Sequence, residues 1–261
     1  MSVLTINFMS NALNRHVTYK AIIPIENSLN PSDNKDFKTL YLLHGMLGNC
    51  EDWIHNTRIV RLARKYKIAV IMPSGDNSFY VDHKNRQDYY GKFIGEELVN
   101  HSRLMFPLSK KREDTFIAGL SMGGYGAIRN GLKYHETFSH IGGFSSGLIL
   151  EEAIHAPIEH DVFFRTRAYF ESVFGNLDEL AGSDCDYRAL ILQLKEAKCD
   201  IPKLYLSCGT EDHLISHNRE YRDFLIAENI ELTYLESKGD HDWDFWDEYI
   251  EKLLQWLPLH A

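Results

Sequence analysis

Cysteine is scarce and scattered: Cys50, Cys185, Cys199 and Cys208 are the four in 261 residues, and no two are spaced C-x-x-C. That excludes a dense disulfide framework and the thiol spacing of a zinc or redox motif, and leaves a reduced, cytoplasmic protein as the expectation. Long apolar runs are missing too. No window approaches the roughly eighteen apolar residues that a membrane-crossing helix needs. The opening MSVLTINFMSNALNRHVTYK has no basic stretch leading into an apolar core, so neither a transmembrane helix nor a signal peptide is expected. Positive charge is in deficit, with 28 Lys and Arg against 37 Asp and Glu and a net charge of −9. Nucleic acid and anionic membrane surfaces are therefore poor partners. Internal repeats and low-complexity segments are absent as well.

What is present suits one large α/β domain over residues 1–261, long enough to bury a sizeable core. Residues 3–8 and 17–23 read as strands joined around Asn11 and Asn14, an antiparallel hairpin at a sheet edge. Residues 27–36 (NSLNPSDNKD) form a polar, turn-rich loop too short to link two domains. Strand-like and helix-like runs then alternate: strand 39–43, helix 59–67, strand 68–72, helix 94–106, strand 116–118, helix 122–133 and strand 140–144. Strand 203–208, helix 214–228, strand 231–235 and helix 243–256 follow. This rhythm predicts a mostly parallel sheet with helices on both faces and a site at the carboxyl ends of its strands. Residues 145–200 break it. They are rich in Phe, Tyr, Arg and acidic residues, and read either as a small cap-like insertion over the site or as a packed surface excursion or subunit contact.

Thirteen histidines raise the question of a metal. Asp212, His213 and His217 could converge, but the two histidines open a polar helix and no third ligand group stands near. Surface histidines and no metal are the expectation.

The chemistry-bearing stretch is Gly119-Leu120-Ser121-Met122-Gly123, between a short apolar strand and a small-residue helix. G-x-S-x-G in that setting is the nucleophile elbow, a strained strand-to-helix turn that lifts a serine hydroxyl above the sheet edge. A serine needs a histidine to take its proton and an acid to orient that histidine, in the chain order Ser, acid, His. An apolar strand ending in Gly209-Thr210-Glu211-Asp212 supplies the acid, with Asp212 preferred and Glu211 its close rival. Gly239-Asp240-His241, between the last strand and the last helix, supplies the base at His241. The backbone N–H of Met122 is one expected oxyanion donor. The second is the N–H of Met46 on the glycine-bearing loop after strand 39–43, which His44 is expected to brace.

Taken together, LLHGMLGN (42–49), FYVDH (79–83), YYGKFIGEEL (89–98), GLSMGGYGA (119–127), SCGTEDHLI (207–215) and GDHDWDFWD (239–247) resemble the esterase D-like branch of the α/β-hydrolases. Within it, the chain is most similar to small bacterial tributyrin esterases. The resemblance covers nearly the whole chain. It implies an α/β-hydrolase fold, a serine carboxylesterase acting on short-chain acyl esters without cofactor or metal, the triad Ser121, Asp212 and His241, and oxyanion donors Met46 and Met122. The branch also holds feruloyl and acetyl-xylan esterases, S-formylglutathione hydrolases and mycolyltransferases, so a thioesterase or a feruloyl or acetyl-sugar esterase stays open. So does a non-catalytic binding protein on the same fold. Where family members carry a second oxyanion-loop glycine this chain has Leu47. Leu47, Tyr80 and Trp243 are expected to line the substrate pocket. Exposed aromatics of residues 145–200 would serve a homo-oligomer.

Overall fold

The computed structural model describes residues 1–25 and 36–259; of the loop expected at 27–36, only Asp36 falls among them. Among these described residues, ten strands and ten α-helices follow in order. The strands are β1 (Ser2–Ser10), β2 (Arg15–Ile23), β3 (Thr39–Leu43), β4 (Ala69–Pro73), β5 (Asp82–His83), β6 (Asp88–Tyr89), β7 (Thr115–Leu120), β8 (His140–Phe144), β9 (Lys203–Gly209) and β10 (Leu232–Ser237). The helices are α1 (Asp52–Asn56), α2 (Ile59–Tyr66), α3 (Tyr90–Lys92), α4 (Leu98–Met105), α5 (Met122–Lys133), α6 (Leu150–Ile154), α7 (Arg167–Phe174), α8 (Tyr187–Glu196), α9 (Ile215–Ala227) and α10 (Trp243–Trp256).

Eight strands make one sheet in the order β1-β2-β4-β3-β7-β8-β9-β10, and β5 pairs only with β6. The first two pairings, β1 with β2 and β2 with β4, are antiparallel; from β4 onward every neighbour is parallel. The central strands are buried along their whole length, as a sheet covered on both faces requires, and accordingly read Thr-Leu-Tyr-Leu-Leu in β3 and Ala-Val-Ile-Met-Pro in β4. Each fully buried Leu, Ile or Val there contributes about 1.5–3 kcal/mol. Residues of α2 and α10 pack on one face, and those of α5, α8 and α9 on the other. This is an α/β-hydrolase fold. Among the described residues no helix is long and apolar enough to cross a membrane.

Two elements depart from the alternation read in the sequence. The helix expected at 94–106 is a π-helical turn, Phe93–Glu97, running into α4. The wide turn brings Glu97 to the hairpin between β1 and β2, where its carboxylate accepts from the N–H groups of Asn11 (2.7 Å) and Ala12 (3.3 Å) and from the Ser10 hydroxyl. Three α-helices lie within 145–200. α8 is a crossover helix packed on α5, with Tyr187 edge-on to Tyr125 at 6.1 Å. α6 and α7 pack on each other beyond the carboxyl end of the sheet.

Candidate active site

β7 delivers Ser121 at the centre of the sheet's carboxyl edge. Ser121 has φ +53° and ψ −120°, a left-handed backbone that costs energy in any residue but glycine. The neighbouring glycines permit it. A Cβ on Gly119 would lie 2.3 Å from the Gly123 carbonyl oxygen, and one on Gly123 would lie 2.5 Å from that of His44. The Ser121 N–H donates to the Phe144 carbonyl (2.9 Å) and its carbonyl accepts from the Gly147 N–H (2.8 Å), which pins the turn to the end of β8.

The loops after β9 and β10 are laced together. Thr210 N–H donates to the Ser237 carbonyl (2.9 Å) and Glu211 N–H to the Gly239 carbonyl (3.0 Å), and a Cβ on Gly209 would lie 2.2 Å from that same Gly239 oxygen. This closeness sets His241 beside Asp212. His241 Nδ1 lies 2.9 Å from Asp212 Oδ2 and His241 Nε2 lies 3.0 Å from Ser121 Oγ. A carboxylate can only accept, so Nδ1–H donates to Asp212 and Nε2 is left to accept from the serine hydroxyl. Burial alone would raise the Asp212 carboxyl, but hydrogen bonds from His241, Ser145 and the Leu214 N–H outweigh it and hold the group below its ordinary value. Glu211, the rival acid, is exposed and lies 3.9 Å from Lys238.

Met46 and Met122 border the same space as Ser121. Met122 opens α5, where a helix N–H has no intrahelical acceptor. The loop after β3 is held from below. His44, buried, uses Nδ1 on the Gly45 carbonyl (2.7 Å) and Nε2 to accept from the Gly75 N–H (2.8 Å). Burial lowers its pKa, in keeping with this neutral, doubly bonded ring. Asn77 Oδ1 accepts from the Leu47 N–H at 2.7 Å. The segment 75–80, whose importance sequence reasoning missed, is thus the brace of this loop; FYVDH was its trace in the sequence.

Two cavities meet at Ser121. One of about 470 Å³ is walled by Met46, Phe79, Met122, Ile149, Phe164 and Phe170, with Glu152, Arg165, His213 and His217 supplying its polar part. The other, about 490 Å³, has His241, Leu47, Asp52, Trp243 and Trp246 around it. Leu47, 73% exposed with φ +62°, and Trp243 therefore border the site. Tyr80 does not. It is fully buried, donates its hydroxyl to the His44 carbonyl (3.0 Å) and accepts from Asn130 on its own carbonyl (3.0 Å). Phe79 and Tyr80 both have positive φ, +50° and +57°, and it is Phe79 that borders the cavity.

Among the described residues, Asp212, His213 and His241 are the one group of three His, Cys, Asp or Glu donors close enough to hold an ion. Both Asp212 oxygens are already engaged, by Leu214 N–H (2.8 Å) and by His241, so an ion would have to displace the hydrogen-bonded row. His217 is not in that group.

The esterase family model, described as a putative esterase, matches residues 10–257. The chain belongs to this esterase family. It is 44% identical over 261 residues to an acetyl esterase of Caldicellulosiruptor saccharolyticus, covering 98% of each chain. Among solved structures, the esterase is similar to FphF, a fluorophosphonate-binding serine hydrolase of Staphylococcus aureus (31% identity, TM-score 0.89, 100% of this chain and 99% of that one). It is also similar to the S-formylglutathione hydrolase FrmB of Staphylococcus aureus (32%, TM-score 0.87, 99% of both chains). A serine esterase, a carboxylic ester hydrolase, is what these relatives and the fold establish.

Proposed function

We propose that this esterase hydrolyses short-chain acyl esters, acetyl esters foremost, through an acyl-Ser121 intermediate. The observation that carries the reading is the unbroken row from Ser121 Oγ through His241 to buried Asp212, at the meeting point of two cavities. Acetyl follows the relative at 44% identity.

In this mechanism Ser121 Oγ attacks the ester carbonyl while His241 Nε2 takes its proton. Asp212 holds the ring so that Nε2 faces the serine, and stabilises the imidazolium. The carbonyl oxygen, now negative, is bound by the N–H groups of Met46 and Met122; losing one such donor costs about 100- to 1000-fold in turnover. His241 returns the proton to the leaving alcohol, activates a water, and the acid is released as Ser121 regains its hydrogen. No cofactor enters this cycle. Because the leaving oxygen must reach His241, the alcohol occupies the cavity bordered by His241, Leu47 and Trp243, and the acyl chain extends beside Phe79 and Phe170. The helices α6 and α7 act as the cap over the acyl side. The free cysteines fit a reducing, cytoplasmic setting. A thioester substrate is the second reading, favoured by the 32% identity to an S-formylglutathione hydrolase.

The test is hydrolysis of p-nitrophenyl esters from acetate to dodecanoate, and of matched thioesters, with wild type and Ser121→Ala side by side. Activity that depends on Ser121 and falls beyond about four to six carbons, the reach of a closed pocket of this size, is expected. Undiminished turnover by Ser121→Ala would sink the reading. Thioester rates well above oxyester rates would replace it with the second.

A further inference from the structure

β1 is one edge of the eight-stranded sheet, and among the described residues its outer side pairs with no strand. A sheet edge is a row of unpaired N–H and C=O groups, which proteins blunt with charge, proline, a bulge or brevity. The opposite edge is treated in that way. β10 is six residues long and carries Glu236, held by Arg219 at 2.7 and 2.9 Å. β1 has none of these devices. It runs nine residues, Ser-Val-Leu-Thr-Ile-Asn-Phe-Met-Ser, without a charge or a proline, and its pairing with β2 is unbroken from Ser2 to Ser10.

The strand has the same polarity pattern in both directions. About Ile6, Thr5 answers Asn7, Leu4 answers Phe8, Val3 answers Met9 and Ser2 answers Ser10, polar with polar and apolar with apolar. Leu4, Ile6 and Phe8 lie on the half-buried face, and Val3, Thr5, Asn7 and Met9 on the exposed one. Beside the edge runs a groove of about 550 Å³, between Phe8 and Met9 on one side and the row Lys92, Glu96, Asn100 and Leu104 on the other. Leu104 is 86% exposed, the most of any large apolar side chain among the described residues. Ser10 meets Glu97, and Phe8 stacks on His101 with centroids 3.8 Å apart, so α4 runs antiparallel to β1 and Leu104 falls about level with Ile6.

We propose that a second copy of this chain docks here, β1 against β1 in antiparallel register about a twofold axis at Ile6, joining two eight-stranded sheets into one. Main-chain hydrogen bonds supply the pairing, and the mirrored side chains set its register. The same axis brings the two Leu104 side chains toward each other. Each copy carries a net charge of −9, so two copies repel, and a charge-free edge is where they approach at least cost. Lys92 and Glu96 put one charge of each sign on the rim of the groove. Nine strand residues span about 30 Å, and a strand with a helix beside it is about 20 Å deep. Such a contact buries about 1,200 Å² in all, the lower end for a specific, stable interface. Because the two patches are identical, the contact closes at two copies. It lies at this edge rather than at the aromatics of residues 145–200.

The test is light scattering during size-exclusion chromatography, from low to high micromolar protein, with melting temperature and p-nitrophenyl acetate hydrolysis recorded for every variant. Wild type should run at twice the mass of the chain. Leu104→Glu sets two carboxylates near the axis, and Thr5→Asp with Asn7→Asp sets carboxylates opposite one another across it. Each should raise the dimer Kd by about 100-fold or more, through lost apolar burial or opposed like charges. The aspartates keep the acceptors that Lys20 and Thr18 use on Thr5 (2.6 Å) and Asn7 (2.5 Å), so folding and activity should be unchanged. Ile6→Cys checks the register, since thiols facing each other at the axis should link two copies when diamide is added. Wild type that stays monomeric over the whole range overturns the inference. So does an oligomer that both charged variants leave intact. Neither result bears on the mechanism proposed above, because none of these residues borders the cavities at Ser121.

Discussion

The two cavities that share Ser121 and Met46 are walled by different parts of the chain. The cavity proposed for the acyl chain is roofed by the connection between β8 and β9, where Ile149 precedes α6, Phe164 lies between α6 and α7 and Phe170 is in α7, and it is closed below by Phe79 and Met122. The cavity proposed for the alcohol is formed by the loop after β3 and the start of α10, elements that belong to the sheet framework itself. One wall is a segment set on the fold, the other is the fold's own edge. Ser121 and Met46 are common to both, His241 borders only the second and Met122 only the first, and on the proposed reading the residues that choose the substrate are divided between them. Changes on either wall should therefore alter one half of the substrate and leave the other alone.

The largest effect breaks both sides at once. Ser121→Ala should lower turnover by about 10⁴-fold or more on every ester, whatever its acyl or alcohol part, with little change in melting temperature. Phe164→Ala acts on one side. It removes a half-buried ring that stands edge-on to Tyr169 at 5.1 Å and widens the acyl cavity. The ratio of kcat/KM for octanoate over acetate should rise by about tenfold, in line with the value of a few methylenes in an apolar pocket. A ratio that stays put would mean the acyl chain does not lie there. Trp243→Ala tests the other side: KM for aryl esters should rise about threefold to tenfold relative to methyl esters of the same acid. The acyl-length preference should not move, and if it does, the division between the cavities is wrong.

The smallest effect lies outside both. His140 packs edge-on to Phe116 (5.3 Å) and Trp256 (5.1 Å), and burial, aided by nearby Lys203, lowers its pKa to about 4. Its folded pKa is below the unfolded value of about 6.5, so the unfolded chain binds the proton first as pH falls. Stability should be full above about pH 6.5 and decline between there and about pH 4. In His140→Gln the dependence of melting temperature on pH across that window should be shallower; an unchanged slope would show that other groups dominate it.

The sequence made the framework legible because each signal was local. Alternating apolar runs separated by turns placed the parallel strands, and the spacing of Gly119, Ser121 and Gly123 marked the elbow, since glycine is demanded there by backbone approaches of 2.3 and 2.5 Å. Asp212 and His241 could be located because each follows a strand, although the separation of Asp212 from Glu211 came from family resemblance. What stayed hidden depends on contacts across the sequence. Two successive positive-φ residues exchange the directions of Phe79 and Tyr80, and no local pattern announces that. The Trp246 to Ser145 bond spans 101 residues. A π-helical turn at Phe93–Glu97 looks like any helix until its carboxylate is seen at the hairpin.

The separation of 120 residues between Ser121 and His241 has a consequence for how the enzyme comes into being. At ribosomal speeds of about 5–20 residues per second, the nucleophile leads the base by roughly 6–24 s. During that interval a growing chain holds the serine but lacks the partner that arms it. Ester cleavage is thus withheld until the last strand and helix have been made and docked, and activity in a translation mixture would report completed folding of the whole sheet rather than synthesis of the motif.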